Sequence, residues 1–198
     1  MRVLSAGPRF RAALVPIQAG PLAGDHDVVR LHVGEGVTLE LVPVAATLAL
    51  PGDARTRLEL HAEVAGRLIL DEPPLIVPEG AAVVRTTHLT LAEGAVAAWR
   101  DTVILGRVGE GPGRLEATTR VTLGGAPLLH ETLRIDPAAS DAYVALPPGH
   151  RVVGTVALLG VPGNLAGPGD LQRATGTAAS AVEAQLRDAW LAARSSIA

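Results

Sequence analysis

The stretch GRLEATTRVTLGGAPLL, from Gly113 to Leu129, has the alternation of residue types that decides the fold class. Every second position from Leu115 to Leu123 is largely apolar, and the intervening positions are charged or polar. Successive side chains of a β-strand point to opposite faces of a sheet, so the pattern predicts a strand with one buried face. The following glycine pair predicts a tight reversal, because glycine adopts the positive φ that such turns need.

The same unit recurs along the first three quarters of the chain. Alternating runs include VVRLHV, VTLELV and LELHAEV, and glycine-containing turns occur as VGEG, PEGA, AEGA and LGGA. Repeated strands joined by such turns are typical of a β-sandwich or a β-solenoid. We therefore expect a mainly β protein whose strand-rich core spans about residues 14–160.

The period of the apolar residues changes near the C-terminus. After the loop GNLAGPG, the residues Val182, Leu186, Ala189 and Trp190 fall at helical spacing. This spacing predicts one amphipathic helix at about residues 170–194. The helix either packs on the sheet or binds a partner.

Composition narrows the possible functions. The 198 residues are 48% hydrophobic, which favours a single domain over residues 1–198. A net charge of -3 argues against nucleic acid as a partner. All 17 basic residues are arginine and cysteine is absent, which excludes Schiff-base lysines and thiolate chemistry. No apolar run reaches the ~18 residues of a membrane span, so we expect a soluble, cytoplasmic protein with no membrane partner.

The segment QAGPLAGDHD, from Gln18 to Asp27, could be a phosphate cradle, a metal site or a structural turn. It leads into a strand and contains no lysine, which argues against a phosphate-binding loop. Asp25 and Asp27 would lie on the same side of the strand entry, where both could contact one metal ion. A metal-dependent hydrolase that uses these aspartates and a histidine is therefore one hypothesis, and a solvated turn is the structural alternative.

Asp101 interrupts a strand that is otherwise largely apolar. Its neighbours on the same face would be Trp99 and Val103, and a carboxylate among apolar side chains costs free energy unless it is paired. The adjacent arginine points to the opposite face, so the partner must come from elsewhere, with Arg107 or Arg85 as candidates. Asp101 is then either half of an internal ion pair or a functional acid.

Five segments follow one another in a distinctive order between Gln18 and Asp136. They are QAGPLAGD, VTLELVPVAATLAL, LILDEPPLIVPEGA, LTLAEGAVAAWRDTVILGRVGEG and RLEATTRVTLGGAPLLHETLRID. This order resembles the UreD (UreH) family of urease accessory proteins. The double glycines usual in the first segment of that family are reduced here to Gly20 and Gly24, so the chain looks like a short, divergent member.

The resemblance implies a β-helix-like stack of strands with a flanking helical element, and a β-sandwich is the alternative. It also implies a maturation factor that is not an enzyme. UreD-like proteins bind apo-urease and a UreF-like protein, which in turn recruits a UreG-like GTPase, and together they are thought to deliver nickel to urease. No tightly bound cofactor is expected. The positions that match the motifs of the family are Gly24, Asp25, Thr47, Asp101 and Arg107.

Two of these residues are candidates for transient nickel ligands in an internal polar passage. They are Asp25 and Asp101, and we expect Asp101→Ala to lower nickel delivery while the fold stays intact. A β-rich protein-binding or assembly module unrelated to urease is the alternative function, because it would show the same alternation and the same glycine turns.

Overall fold

The structure, a computed structural model, describes residues 2–5, 9–15, 20–138 and 146–197. The strands in these residues are β1 (Arg2–Ser5), β2 (Arg9–Ala13), β3 (His26–Val33), β4 (Thr38–Val42), β5 (Thr47–Leu48), β6 (Thr56–Val64), β7 (Arg67–Asp71), β8 (Leu75–Val77), β9 (Ala82–Leu91), β10 (Val96–Leu105), β11 (Arg114–Leu123), β12 (Ala126–Ile135), β13 (Val152–Leu159) and β14 (Gly169–Gly176). The helix α1 (Ala179–Ser195) follows them.

The strands form two sheets, and the chain passes back and forth between them. Sheet A has the order β1-β2-β4-β7-β10-β13-β14, with β5 and β8 beside the second half of β10, and sheet B has the order β12-β11-β9-β6-β3. The series β2-β4-β7-β10 and β3-β6-β9-β11 are parallel. This arrangement is a β-solenoid of about four turns, which confirms the β-helix-like stack.

The turns between the coils have the chemistry that the sequence predicts. Gly80 and Gly94 have φ angles of 78° and 80°, which residues with a Cβ atom rarely adopt. Pro73 and Pro74 separate β7 from β8, because proline cannot donate a hydrogen bond to a neighbouring strand. Their neighbour in sheet A, β10, is continuous and pairs with both of these shorter strands.

Helix α1 covers the outer face of sheet A. Val182, Leu186 and Trp190 are buried against β10, β13 and β14, which confirms that the helix packs on the sheet. The buried carboxylate of Glu40 on β4 lies 2.6 Å from the guanidinium of Arg194, so an ion pair also joins the helix to the sheet. No helix in the described part of the chain has the length and apolar character needed to cross a membrane.

The boundaries differ from the expected ones at both ends. The helix begins at Ala179 and not near residue 170, because residues 169–176 form β14, which pairs with β13 along its whole length. Strands β1 and β2 also precede the expected start of the strand-rich core near residue 14. Gln18, at the start of the aspartate-containing loop, lies outside the described residues.

We predict that Gly154→Ala destabilises the contact between α1 and sheet A. A Cβ atom at Gly154 would lie 2.6 Å from Val182 and 2.8 Å from Leu186, so the helix would have to shift. Such overpacking costs about 1–3 kcal/mol, to be measured by urea denaturation. Gly34→Ala is the control, because a Cβ atom there meets nothing within 4 Å. An equal loss of stability in both variants would contradict the proposed helix contact.

Candidate functional site

A layer of polar side chains crosses the interior of the solenoid. On β10, inward-facing Trp99 and Val103 belong to two different apolar clusters, and Asp101 lies between them. The same order of apolar, polar and apolar positions recurs on the neighbouring strands. We call this layer the polar seam; its members, all buried, are Glu72, Arg85, Thr87, Asp101, Thr119 and Thr155.

The centre of the polar seam is an ion pair between the two sheets. Arg85 on β9 donates from both terminal nitrogens to the two carboxylate oxygens of Asp101 on β10, at 2.6 and 2.5 Å. Both residues are only 7% exposed. Burial alone would lower the pKa of Arg85, but the carboxylates of Asp101 and Glu72 raise it above its ordinary value, so the guanidinium stays charged.

The partner of Asp101 is therefore one of the two arginines that the sequence analysis proposed. Arg107, the other candidate, pairs instead with Glu110 in an exposed turn. The interpretation of Asp101 as half of an internal ion pair is confirmed. The expectation that Asp101→Ala leaves the fold intact is at odds with this geometry, because the variant would leave the buried guanidinium of Arg85 without its main partner.

Glu72 is a second buried acid in the polar seam. It accepts a hydrogen bond of 2.7 Å from the indole nitrogen of Trp99 and a long one of 3.4 Å from the hydroxyl of Thr87. Burial, with a smaller effect of the nearby Asp101 carboxylate, raises the pKa of Glu72, and Arg85 and the two hydrogen bonds lower it; the net pKa is about 7. The carboxyl group can therefore gain or lose a proton near neutral pH.

Sequence analysis did not identify Glu72 as a site residue, although the strand pattern contained a signal. Leu68 and Leu70 on β7 face the interior, and continuing the alternation by one step places Glu72 on the same side.

Two clefts approach the polar seam, and Arg85 borders both of them. One cleft has a volume of about 190 Å³ and lies where β11 and β12 face β13 and β14. Its polar lining includes Arg85, Asp101, Thr119, Glu131, Thr155 and Arg173. The other cleft, of about 170 Å³, lies toward β3, β5 and β6, and its polar lining includes Asp27, Thr47, Glu59, Glu72, Arg85 and Thr87. The Arg85–Asp101 ion pair thus lies between the two clefts.

The remaining candidate residues are distributed over several places. Asp25 accepts a hydrogen bond of 2.8 Å from the backbone N–H of Leu22 and closes an exposed turn. Gly24 lies in that turn with a φ of 93°, and Thr47 lines the second cleft. Asp27, which the sequence analysis considered only with Asp25, is the acid of this segment that lines the cleft.

The structure does not assemble the ligands of the proposed hydrolase. The imidazole of His26 contacts the carboxylate of Glu59 at 2.8 Å, whereas Asp27, on the other side of the strand, lines the cleft. Across residues 2–5, 9–15, 20–138 and 146–197, no three histidine, aspartate or glutamate side chains are arranged to hold a metal ion.

Comparison with known proteins gives a consistent family assignment. A family model described as UreD urease accessory protein matches residues 4–196. The chain is 40% identical over 197 residues to "Urease accessory protein UreD 1" of Streptomyces griseus, an alignment that covers 93% of the chain and 77% of the relative. It is 35% identical over 164 residues to "Urease accessory protein UreD" of Streptomyces avermitilis, covering 80% of the chain and 65% of that relative.

A third relative shows the same level of similarity. The chain is 39% identical over 156 residues to "Urease accessory protein UreD 1" of Saccharopolyspora erythraea, covering 75% of the chain and 60% of the relative. The chain thus spans less than two thirds of the length of the second and third relatives.

Removing one partner of the buried ion pair should lower the stability of the fold more than replacing both partners with apolar residues. We expect Asp101→Ala to lower the free energy of unfolding by about 3–5 kcal/mol, because it leaves a buried, unpaired guanidinium. The double variant Arg85→Met/Asp101→Leu should lose much less, since it removes both charges. Arg107→Met, which breaks an exposed pair, should cost less than about 1 kcal/mol. Additive losses in a double-mutant cycle of Arg85→Met and Asp101→Leu, measured by urea denaturation, would contradict the coupling.

Glu72 should make stability depend on pH. The pKa in the folded state, about 7, lies above the ordinary value of 4.5, so the folded protein binds more protons than the unfolded chain between these values. The contribution of Glu72 to stability is therefore present below pH 4.5 and is lost as the pH rises through 7. Glu72→Gln should flatten the dependence of the urea midpoint on pH over this interval. An unchanged slope in the variant would show that Glu72 is not responsible.

Proposed function

The chain belongs to the UreD urease accessory protein family, and we propose that it is a cytoplasmic, non-catalytic scaffold for urease maturation. In this proposal it binds apo-urease together with UreF-like and UreG-like accessory proteins. It assists the delivery of nickel to the urease active site, with nickel as transient cargo and not as a resident cofactor.

The observation that carries the proposal is the polar seam between two clefts. The sheets stack their strands along the solenoid axis, and the clefts lie toward opposite ends of this stack, at β3 and at β12 to β14. A line of buried carboxylates and hydroxyls in an otherwise apolar interior supports a path for a cation. Oxygen ligands also bind divalent transition metals more weakly than thiolates or imidazoles do, which suits a carrier that must release its cargo.

The Arg85–Asp101 ion pair closes this path in the conformation described above. The guanidinium of Arg85 donates to both carboxylate oxygens of Asp101, so an entering cation must displace the guanidinium. Glu72 lies next to this pair and can give up a proton near neutral pH, which provides a second carboxylate as the first becomes accessible. Asp101 is therefore the proposed interior ligand.

Asp25 is the proposed acid near the mouth of the path. It precedes Asp27, which lines the cleft beside Glu72, by two residues. The hydrogen bond from Leu22 holds the carboxylate of Asp25 in a turn at the surface, where it could meet a cation before Asp27 does.

The test is nickel loading of urease that is co-produced with its other accessory proteins, with or without this chain. We expect nickel per active site and urea hydrolysis to fall several-fold when the chain is omitted. Full nickel loading without the chain would contradict a maturation role and favour the alternative, a β-rich binding module unrelated to urease. Co-purification with urease subunits separates the same two functions by a second measurement.

Asp101→Asn should reduce nickel loading while the chain still co-purifies with its partners. Asparagine keeps the shape and a hydrogen-bond acceptor for Arg85 but lacks the charge that a cation needs. Asp53→Asn, in an exposed loop, is the control for loss of one negative charge. Wild-type nickel content in urease matured with Asp101→Asn would reject the path through the polar seam and leave the scaffold role standing.

A further inference from the structure

The outer face of sheet B, which points away from the solenoid interior, is rich in histidine. Five of the six histidines of the chain lie on it, while their neighbours along the strands, such as Leu31 and Leu89, face the core. These histidines are His26, His32, His61, His88 and His130. The exception is His150, which precedes β13 of sheet A.

The strand register aligns three of these histidines with two arginines. Arg30 on β3 is opposite His61 on β6, which is opposite His88 on β9. His88 is opposite Arg120 on β11, which is opposite His130 on β12. We call these five residues the basic row. It crosses all five strands, and at a strand spacing of about 4.8 Å it is about 19 Å long.

Contacts within the basic row show that its members are true neighbours. The rings of His61 and His88 meet edge to face with centroids 5.1 Å apart, and Nε of Arg120 donates to Nε2 of His130 at 3.1 Å. Nε2 of His88 is shielded from solvent and has no hydrogen-bond partner among the described residues. The row therefore holds hydrogen-bonding capacity that the folded chain does not use.

The two arginines of the basic row are cations without an anionic partner. Arg30 and Arg120 make no ion pair within the described part of the chain, whereas the carboxylates on this face are already in contact with other groups. Glu59 contacts His26 and His61, Glu63 contacts His32, and Glu116 contacts Arg134. An anionic ligand bound on the row would interact with two arginines that have no ion-pair partner among the described residues.

The row also lies on a face that no other element in the described part of the chain covers. Helix α1 packs on β10, β13 and β14 of sheet A, and in residues 20–138 and 146–197 the extensive packing of β3, β6, β9 and β11 is with strands of their own sheet. The two faces of the solenoid therefore differ: one is covered by a helix and the other exposes a line of basic groups.

We infer that the basic row is a docking surface for an acidic helix of a partner protein. Carboxylates three or four positions apart on a helix lie about 5–6 Å apart, close to the strand spacing, so acids at positions i, i+4, i+7 and i+11 of a helix across the strands lie over successive basic groups. Nucleic acid is a poorer fit, because its dense phosphate charge calls for many cations, whereas this chain has a net charge of -3. The inference does not depend on nickel transfer through the polar seam.

Docking should strengthen as the pH falls. Burial lowers the pKa of His88, and His61, Arg120 and His130 lower it further, against the opposing effect of Glu59. In the free protein, the neighbours of His88 therefore disfavour its protonated form. A carboxylate that approaches His88 favours the protonated form, so binding takes up protons. The other charged or titratable groups on the face are His26, His32, Arg57, Glu63, Arg114, Glu116 and Arg134.

The first experiment measures, by fluorescence anisotropy, binding of a synthetic helical peptide with glutamate at positions i, i+4, i+7, i+11 and i+14, which share one face of the helix. The full chain should bind it, more tightly at pH 6 than at pH 8 and more weakly in high salt. Arg30→Gln/Arg120→Gln should weaken binding roughly tenfold. Arg187→Gln, an equivalent exposed arginine on α1, is the control and should bind like the wild type.

Equal binding of the peptide by Arg30→Gln/Arg120→Gln and by Arg187→Gln would overturn the inference. Tighter binding of a DNA duplex than of the peptide would also overturn it. Absence of peptide binding at pH 6 and low salt would also overturn it. These outcomes are independent of nickel loading, so they separate a failure of this surface from a failure of the maturation role.

A second experiment uses the absence of lysine from the chain. Arg30→Lys or Arg120→Lys introduces the sole lysine amine, which a carbodiimide can couple to a carboxylate of a bound partner. Each variant is co-produced with urease and its accessory proteins and purified. The sample is then treated with the carbodiimide, and the cross-linked residues are identified by mass spectrometry. We expect both variants to cross-link to glutamates or aspartates of one partner helix, and Arg187→Lys to yield none at that helix. Cross-links that join only two copies of this chain would replace the proposed partner with a dimer.

Discussion

The ion pair between Arg85 and Asp101 is the constraint on which the interior of this solenoid depends. It joins the two sheets at mid-height, where each strand would otherwise present apolar side chains, and it divides the core into two clusters. Removing two charges from water costs several kcal/mol per ion before their attraction offsets it. A well-packed apolar pair would hold the sheets together at least as well, so stability alone does not account for these residues.

The rest of the fold follows from how the chain surrounds this layer. The alternation along the strands brings polar side chains into one layer, two of them, Arg85 and Thr87, from β9, and glycine turns return the chain for the next coil. Proline ends the strand beside Glu72, whose carboxyl accepts a hydrogen bond from the indole of Trp99 inside the solenoid. Helix α1 then covers sheet A, and Glu40 ties that helix to the coil through Arg194. The outer face of sheet B keeps its histidines and arginines exposed.

The interior of the solenoid and the outer face of sheet B thus suit two different tasks of the proposed maturation scaffold. The interior offers carboxylates in an apolar setting, with a guanidinium that must move before a cation can enter. The outer face of sheet B offers unneutralised cations at regular spacing, which suit a carboxylate-bearing protein surface. In the two proposals made above for this member of the UreD family, the first feature bears on the cargo and the second on a partner. Neither requires a preassembled metal cage or a catalytic set of side chains.

The sequence by itself determined the strand class, the glycine turns, the amphipathic helix and the need of Asp101 for a partner, because these depend on the direction of neighbouring side chains. It also carried the family resemblance, through the order of its segments. Only the tertiary structure decided that Arg85 and not Arg107 pairs with Asp101, that Asp27 lines the cleft beside Glu72, and that three histidines align with two arginines. Those juxtapositions depend on the register between strands far apart in the chain, and local periodicity contains no information about that register.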